Sequence, residues 1–455
     1  MRHITYTFLS FLIISNFSNA QPADVESAND SLDFLDDSEE ALGSASNKAE
    51  ADANAWLVKK QEIWELDGNT DFVGAVGSAS IGGTPTSPSY HKGRVEAYDI
   101  AMMNLKAAIA KELAARVKSE TILSYSKPRA AASIKSSLET KQATKPEDFG
   151  MLDKAKLIIH HELDKELDNR GIQAGTPAAE KLAEAEIERR YSKSIGIAAQ
   201  TEVGGLYTAK TFEEAGTLAV VGVYSDKMKQ LQRAILSQGD APKAQANPSS
   251  PSLGEWARNL KIKDLYASHG VQLKADKYGD INLIAYSQWP ASSNTALSAK
   301  MAFSEAEAMN FGHLRAFVGE LMVVDSGRDQ VSSLKEFGQL EKVSQNYQVD
   351  SAYTDNIRAK AEELGFPGIK KLRTWQIADK RSGVVICGVI SGWNISNAER
   401  SVSERARNES IGASKGGQGI TGKSRLNGTQ SQQDNRYDPN KSGSTRVESL
   451  ESEEF

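Results

Sequence analysis

The chain has 455 residues, with 54 basic against 60 acidic side chains, a formal charge of −6 and one cysteine. A near-neutral middle without a basic stripe offers nucleic acid nothing to hold, and one thiol makes neither an internal disulfide nor a thiolate metal cluster. An apolar content of 39% and a mean hydropathy of −0.46 point to polar appendages around a folded middle.

Arg2 and His3, the short apolar run Ile4 to Phe17 and the small residues at Ser18 and Ala20 read as a secretory signal, residues 1–20, cleaved before Gln21. The run is too short to span a bilayer, and no later stretch reaches transmembrane length. The expected address is therefore exported, in the periplasm or outside the cell. Residues 21–54 carry ten acidic residues against Lys48 alone, which predicts a disordered acidic leader.

The first folded unit is expected over residues 55–237. Phe72 to Ile81 (FVGAVGSASI) reads as a small-residue strand, and the turn GGTPTSPS follows; His91, just past it, is also placed in a turn. Gly93 to Ser119 then sets Tyr98, Met102, Leu105, Ile109, Leu113 and Val117 at three- and four-residue steps, the stripe of an amphipathic helix. A helical insertion is expected over about 134–195. Its stripe of Phe149, Leu152, Ile159, Leu163 and Leu167 stops at Gly171, and Thr176-Pro177 supplies an N-cap and a first-turn proline. Leu206 to Ser225 closes the unit as a β-hairpin.

Residues 238–252 (QGDAPKAQANPSSPS) form a Pro/Ser linker, and a second unit is expected over 253–400. Its hairpin, Leu372 to Ser391, aligns without a gap on Leu206 to Ser225 at a constant offset of 166. Upstream, VQLKADKYGDINLIAYSQ aligns with IWELDGNTDFVGAVGSAS, and AKMAFSEAEAMNFGHLRAFV takes the place of the long helix. A shorter helical counterpart of the insertion is expected around Leu334 to Leu364. The fold class is α+β: two related domains, each a small, mainly antiparallel sheet on a long Ala-rich helix, folding separately on either side of the linker. From Ser401 to Phe455 the chain is Ser, Gly, Asn, Gln and charge, and a disordered tail is expected.

A strand with Gly77 and Ala79, a helix with Ala97, Ala101, Leu105 and Ile109, and a valine-rich hairpin together resemble exported bacterial envelope domains. These are the domains typified by a Helicobacter surface-lipoprotein family and by the N-terminal domain of the flagellar assembly protein T. Ala302, Ala306 and Leu314 carry the likeness in the second half. The insertions and the lack of a lipid-attachment cysteine depart from it. The resemblance implies an α+β envelope domain for assembly or binding, with no catalytic residue to carry over.

Single motifs add little. Gly417 to Ser424 matches the P-loop pattern, but no strand precedes it and no amphipathic helix follows. His160-His161-Glu162 lacks the second His four residues on that a helical zinc site needs, so it reads as a solvated helix face. His269 falls near a helix end and His313 within a helix, and no histidine shows a Ser or Cys partner pattern. Cys387 in VVICGVI reads as a small buried hydrophobe. The tryptophans Trp64, Trp256, Trp289, Trp375 and Trp393 read first as core; Trp375 and Trp393, flanking the last hairpin, are the candidate binding surface.

The expected function is a non-catalytic envelope or extracellular interaction module. It has no cofactor, no metal and no catalytic residue, its partner is another envelope or surface protein, and its oligomeric state is unread. The alternatives are a glycan-binding protein or a secreted hydrolase using scattered carboxylates such as Glu202, Asp226 or Asp325.

Overall fold

The computed structural model describes residues 48–66, 72–127, 129–144, 150–214, 216–237, 241–330, 368–396 and 447–448. The fold is α+β, with two small antiparallel sheets and long helices. Helix α1 (Lys48–Leu66) precedes strand β1 (Phe72–Ser80), and helix α2 (Tyr90–Ser126) follows it. The helical insertion is α3 (Ala130–Thr144), α4 (Met151–Arg170), α5 (Pro177–Glu186), a π-helical turn at Ile187–Tyr191, and α6 (Ser192–Glu202). Thr176 caps α5 by accepting from the Ala179 amide, and Gly171 ends α4 at φ 64°. The hairpin β2 (Lys210–Glu214) and β3 (Thr217–Ser225) leads into α7 (Asp226–Ser237).

The second half runs through short helices α8 (Leu253–Asn259) and α9 (Ile262–Ala267), strands β4 (Gly270–Ala275) and β5 (Ile281–Pro290), and helix α10 (Ala296–Gln330). The hairpin β6 (Lys370–Ala378) and β7 (Val385–Trp393) completes it. A last strand, β8 (Val447–Glu448), returns to the first sheet. The sheet orders are β1-β3-β2-β8 and β4-β5-β7-β6.

The stripe on α2 is the centre of the molecule. Tyr98, Leu105, Ile109, Leu113 and Val117 are all buried, with Leu105 and Ile109 fully so. The helix lies directly on β1: a Cβ at Gly77 would run into the Ala101 carbonyl and the Leu105 backbone. Gly74, on the opposite face of the same strand, faces Leu57 of α1. The first sheet is therefore covered on both faces, which accounts for the burial of β3 from Thr217 through Tyr224.

Several expectations need correction. Residues 48–54, assigned to the disordered leader, are the first turns of α1, with Ala49 and Ala53 buried. Ile63 to Leu66, aligned with β4, is the end of that helix. The two halves do not form separate cores: Val271, Leu273, Leu283, Ala285 and Leu314 belong to the same buried cluster as Leu105, Ile109, Leu206 and Val223. The linker is itself tied down, since the Ala244 amide donates to Gly279 O at 2.9 Å and Lys243 pairs with Asp280 at 3.1 Å. The counterpart expected at Leu334 to Leu364 and the P-loop match lie outside the described residues. The tail contributes β8, which pairs Val447 with Glu213 and Glu448 with Phe212.

Candidate functional site

The start of α2 places two buried polar side chains, His91 and Arg94, between the halves. Tyr90, Arg94 and Tyr98 are spaced by four, so they continue the apolar stripe toward the helix N-terminus. Arg94 has no exposed surface. Its Nε donates to Glu213 Oε2 at 2.8 Å and its Nη2 to the same oxygen at 2.6 Å, while Nη1 donates to Gln288 Oε1 at 3.2 Å. Nη2 also donates to the Tyr266 carbonyl at 3.0 Å, and the guanidinium lies 3.6 Å from the centre of the Tyr266 ring. Tyr90 adds a phenolic donor to Glu213 Oε1 at 3.0 Å. Burial alone would lower the guanidinium pKa, but Glu213 together with Tyr266 and Tyr90 more than reverses that, so Arg94 stays charged. A buried charge is tolerable only when paired and hydrogen-bonded, and this one has both from first-half and second-half groups.

One residue from the start of the same helix, His91 is also buried, not in a turn. Its Nε2 lies 2.9 Å from Asp379 Oδ2 and 3.2 Å from Ser382 Oγ, and its Nδ1 lies 3.4 Å from the Tyr266 hydroxyl. Ser382 Oγ donates to Asp379 Oδ2 at 2.8 Å, and Arg381 donates to Oδ1 through Nε and its amide, each at 3.2 Å. Burial would raise the Asp379 carboxyl, but His91, Arg381 and Ser382 hold it well below the usual carboxylate range. Burial pushes the His91 imidazole down against the pull of Asp379.

The composition Ser–His–Asp invites a nucleophile reading, but the wiring opposes it. A triad places serine and carboxylate on different nitrogens of the imidazole, so that one accepts a proton while the other is held. Here Ser382 and Asp379 share Nε2, and the serine hydroxyl is spent on the carboxylate. Asp379 is the hub, gathering the β6–β7 turn onto α2.

Next to this hub lies a cleft of about 460 Å³. Its walls come from Pro88, Ser89 and Lys92 of the first half, from Trp289 and Pro290 at the end of β5 with Ala291 to Asn294 after it, and from Ser382 to Val384. Trp289 is half-buried on its wall.

The residues singled out in the sequence fall elsewhere. Trp375 and Trp393 are 5% and 6% exposed, so they do not form an open binding surface. They lie in different clusters, Trp375 covering Gly388 and Trp393 in the main core. Glu202 is buried and structural: it accepts from the Met151 amide at 2.8 Å and from Tyr224 OH at 2.9 Å, capping α4. Asp226 opens α7 and Asp325 falls in α10, with side chains outside the described residues. His160 is not on a solvated face; it is buried against Tyr125, 5.4 Å between ring centres, and burial takes its pKa down to about 4. His161 pairs with Glu139 at 3.2 Å. Among the described residues no three His, Cys, Asp or Glu side chains could hold a metal ion together. Cys387 is fully buried, which raises its thiol to about 11.

A family described as a domain of unknown function (DUF6844) matches residues 150–237, the stretch from α4 to α7. The curated proteins give no match. Among solved structures, a hypothetical protein from Francisella tularensis matches with 17% identity and a TM-score of 0.43, over 81% of this chain and 96% of that one.

Proposed function

We propose that the chain is an exported bacterial envelope or extracellular protein that works as a non-catalytic binding or assembly module. The observation that carries this reading is the closure of the polar groups between the halves. Arg94, Glu213, His91, Asp379 and Ser382 satisfy one another and fix the two halves in one arrangement, leaving an adjoining cleft rather than an activated nucleophile. Export is supported by the segment 1–20, and the envelope-domain resemblance supports binding over catalysis.

Two measurements test this. N-terminal sequencing of the protein from the envelope or culture fraction should begin at Gln21; an uncleaved chain retained in the cytoplasm would overturn the export. A fluorophosphonate probe should leave Ser382 unlabelled. Labelling of Ser382 that disappears in His91→Ala would overturn the non-catalytic reading.

A further inference from the structure

We infer that the cleft between the halves binds a carbohydrate, with the Trp289 ring as its stacking face. This deepens the binding-module reading and rests on it for the ligand's access to the site. The volume of about 460 Å³ falls within the range of small-molecule sites, about 300–1,000 Å³, and such sites favour the junction of two structural units. Both halves contribute walls.

The chemistry of the lining selects the class. Five neutral polar side chains, among them Ser89, Ser293, Asn294 and Ser382, stand against one cation, Lys92, and no described lining residue is a carboxylate. A phosphorylated ligand calls for clustered cations or bidentate arginine, and an apolar ligand would leave the hydroxyls unused. A pyranose ring offers what this lining accepts: one face of C–H groups for an indole and a rim of hydroxyls. The serine hydroxyls are oriented by neighbours, Ser89 by Ser87 at 2.8 Å and Ser293 by Thr295 at 3.2 Å. Each hydroxyl has one donor and two acceptor sites, so these pairs leave capacity for a ligand. Lys92 pairs with Glu96 only at 3.6 Å, with a side chain 56% exposed.

Trp289 is also pre-organised. Its backbone is fixed in the sheet opposite Cys387, and its side chain packs on the cluster of Ala291, Ala302 and Cys387. A ring held in place before binding loses little freedom when a sugar stacks on it.

The test is calorimetric titration of the full chain with N,N′-diacetylchitobiose, cellobiose and maltose. Saturable binding of at least one, with Kd at or below about 1 mM, is expected. Trp289→Ala should weaken it about tenfold, Trp289→Phe much less, and the exposed Asn294→Ala about threefold. If Trp289→Ala fails to fold by circular dichroism, the Phe and Asn294 variants decide. No saturation by any of the three disaccharides below about 10 mM, or affinity unchanged in Asn294→Ala and in the folded Trp289 variants, overturns the inference. The two readings fail separately: binding by a protein that keeps residues 1–20 in the cytoplasm sinks the export alone, and an exported protein that binds none of the sugars sinks the cleft alone.

Discussion

The two hairpins carry the same pairing register and use it differently. Lys210 faces Val221 and Gln376 faces Cys387; Phe212 faces Ala219 and Ala378 faces Val385, each pair displaced by the same 166 residues. The next position in that series is a carboxylate in both, Glu213 in the first hairpin and Asp379 in the second. Both are met by the first turn of α2, Glu213 by Arg94 and Asp379 by His91. The first hairpin stays paired to Glu214–Thr217, with Gly216 at φ 75°. The second leaves the ladder at Ala378, and the loop through Gly383 both holds His91 and lines the cleft. The candidate site lies where the second hairpin departs from the first.

Partners rather than depth separate the two carboxylates, a buried guanidinium for Glu213 and an imidazole with Ser382 and Arg381 for Asp379, and the largest expected effect would sharpen that. Arg94→Met leaves Glu213 buried with only the Tyr90 phenol, and breaking a buried pair from one side costs about 3–5 kcal/mol. Arg94→Lys should recover little, because an ammonium cannot reproduce the fork to Glu213, Gln288 and Tyr266. His91→Ala leaves Asp379 with Ser382 and Arg381, so a smaller loss of about 1–3 kcal/mol is expected. Urea denaturation ranks the three, and equal losses for Arg94→Met and His91→Ala would break the comparison.

Next in size is the stripe of α2. Ile109→Ala should cost about 2–5 kcal/mol, while Lys106→Ala should stay within about 0.5 kcal/mol. Because the buried cluster runs through both halves, both should unfold in one transition that moves together on Ile109→Ala. Two resolved transitions, with only the first shifted, would restore the picture of separate domains.

This is also where the sequence was most and least legible. The stripe, the Thr176 cap and both hairpins follow from local periodicity and turn chemistry, and each stands where those rules put it. The likeness of the halves extends to strand order but not to faces. Gly222 points at Leu105 of the long helix α2, whereas Gly388, its counterpart 166 residues on, points at Trp375, away from the Cys387 face on which Ala302 of α10 packs. Leu206 and Leu372 accordingly serve different packing surfaces. The sheet also equates Phe72 with Ala285, through Ser225 and Ser391, where sequence alignment set it against Asp280. An error of five residues, being odd, reverses every side chain, so apolar alignment alone could not place the site. The partners of Arg94 and His91 lie 119 to 291 positions away and carry no local signal. The one clue was the stripe itself, since Tyr90 and Arg94 continue it at spacing four.

The helical insertion gives a smaller, pH-dependent effect. His160 is neutral in the fold with a pKa near 4, against 6.5 unfolded, so the unfolded chain binds the extra proton between these values. Its contribution is complete above about pH 6.5 and is lost as pH falls toward 4. His160→Gln should flatten the fall of the denaturation midpoint across that window, although His91 and His269, lowered in the same direction, keep part of the slope. A slope unchanged by the substitution would mean that the ring is solvated.

The smallest effect concerns the fourth strands, which stand at opposite ends of the two sheets. In the second sheet β4 adds six residues to β5; in the first, β8 adds two residues to the far edge of β2. Two paired residues supply at most a couple of ladder hydrogen bonds, each worth about 0.5–1.5 kcal/mol net, and ordering the strand offsets part of that. Deleting 401–455 should therefore lower stability by less than about 1 kcal/mol, with the local consequence confined to one edge. Hydrogen exchange should quicken at β2, around Phe212 and Glu213, and stay unchanged at β6. Quickening at both edges, or a loss of several kcal/mol, would mean that the tail reaches well beyond the pairs Val447–Glu213 and Glu448–Phe212. Exchange unchanged at β2 would mean that β8 does not protect that edge in solution, leaving it open to pairing with another strand.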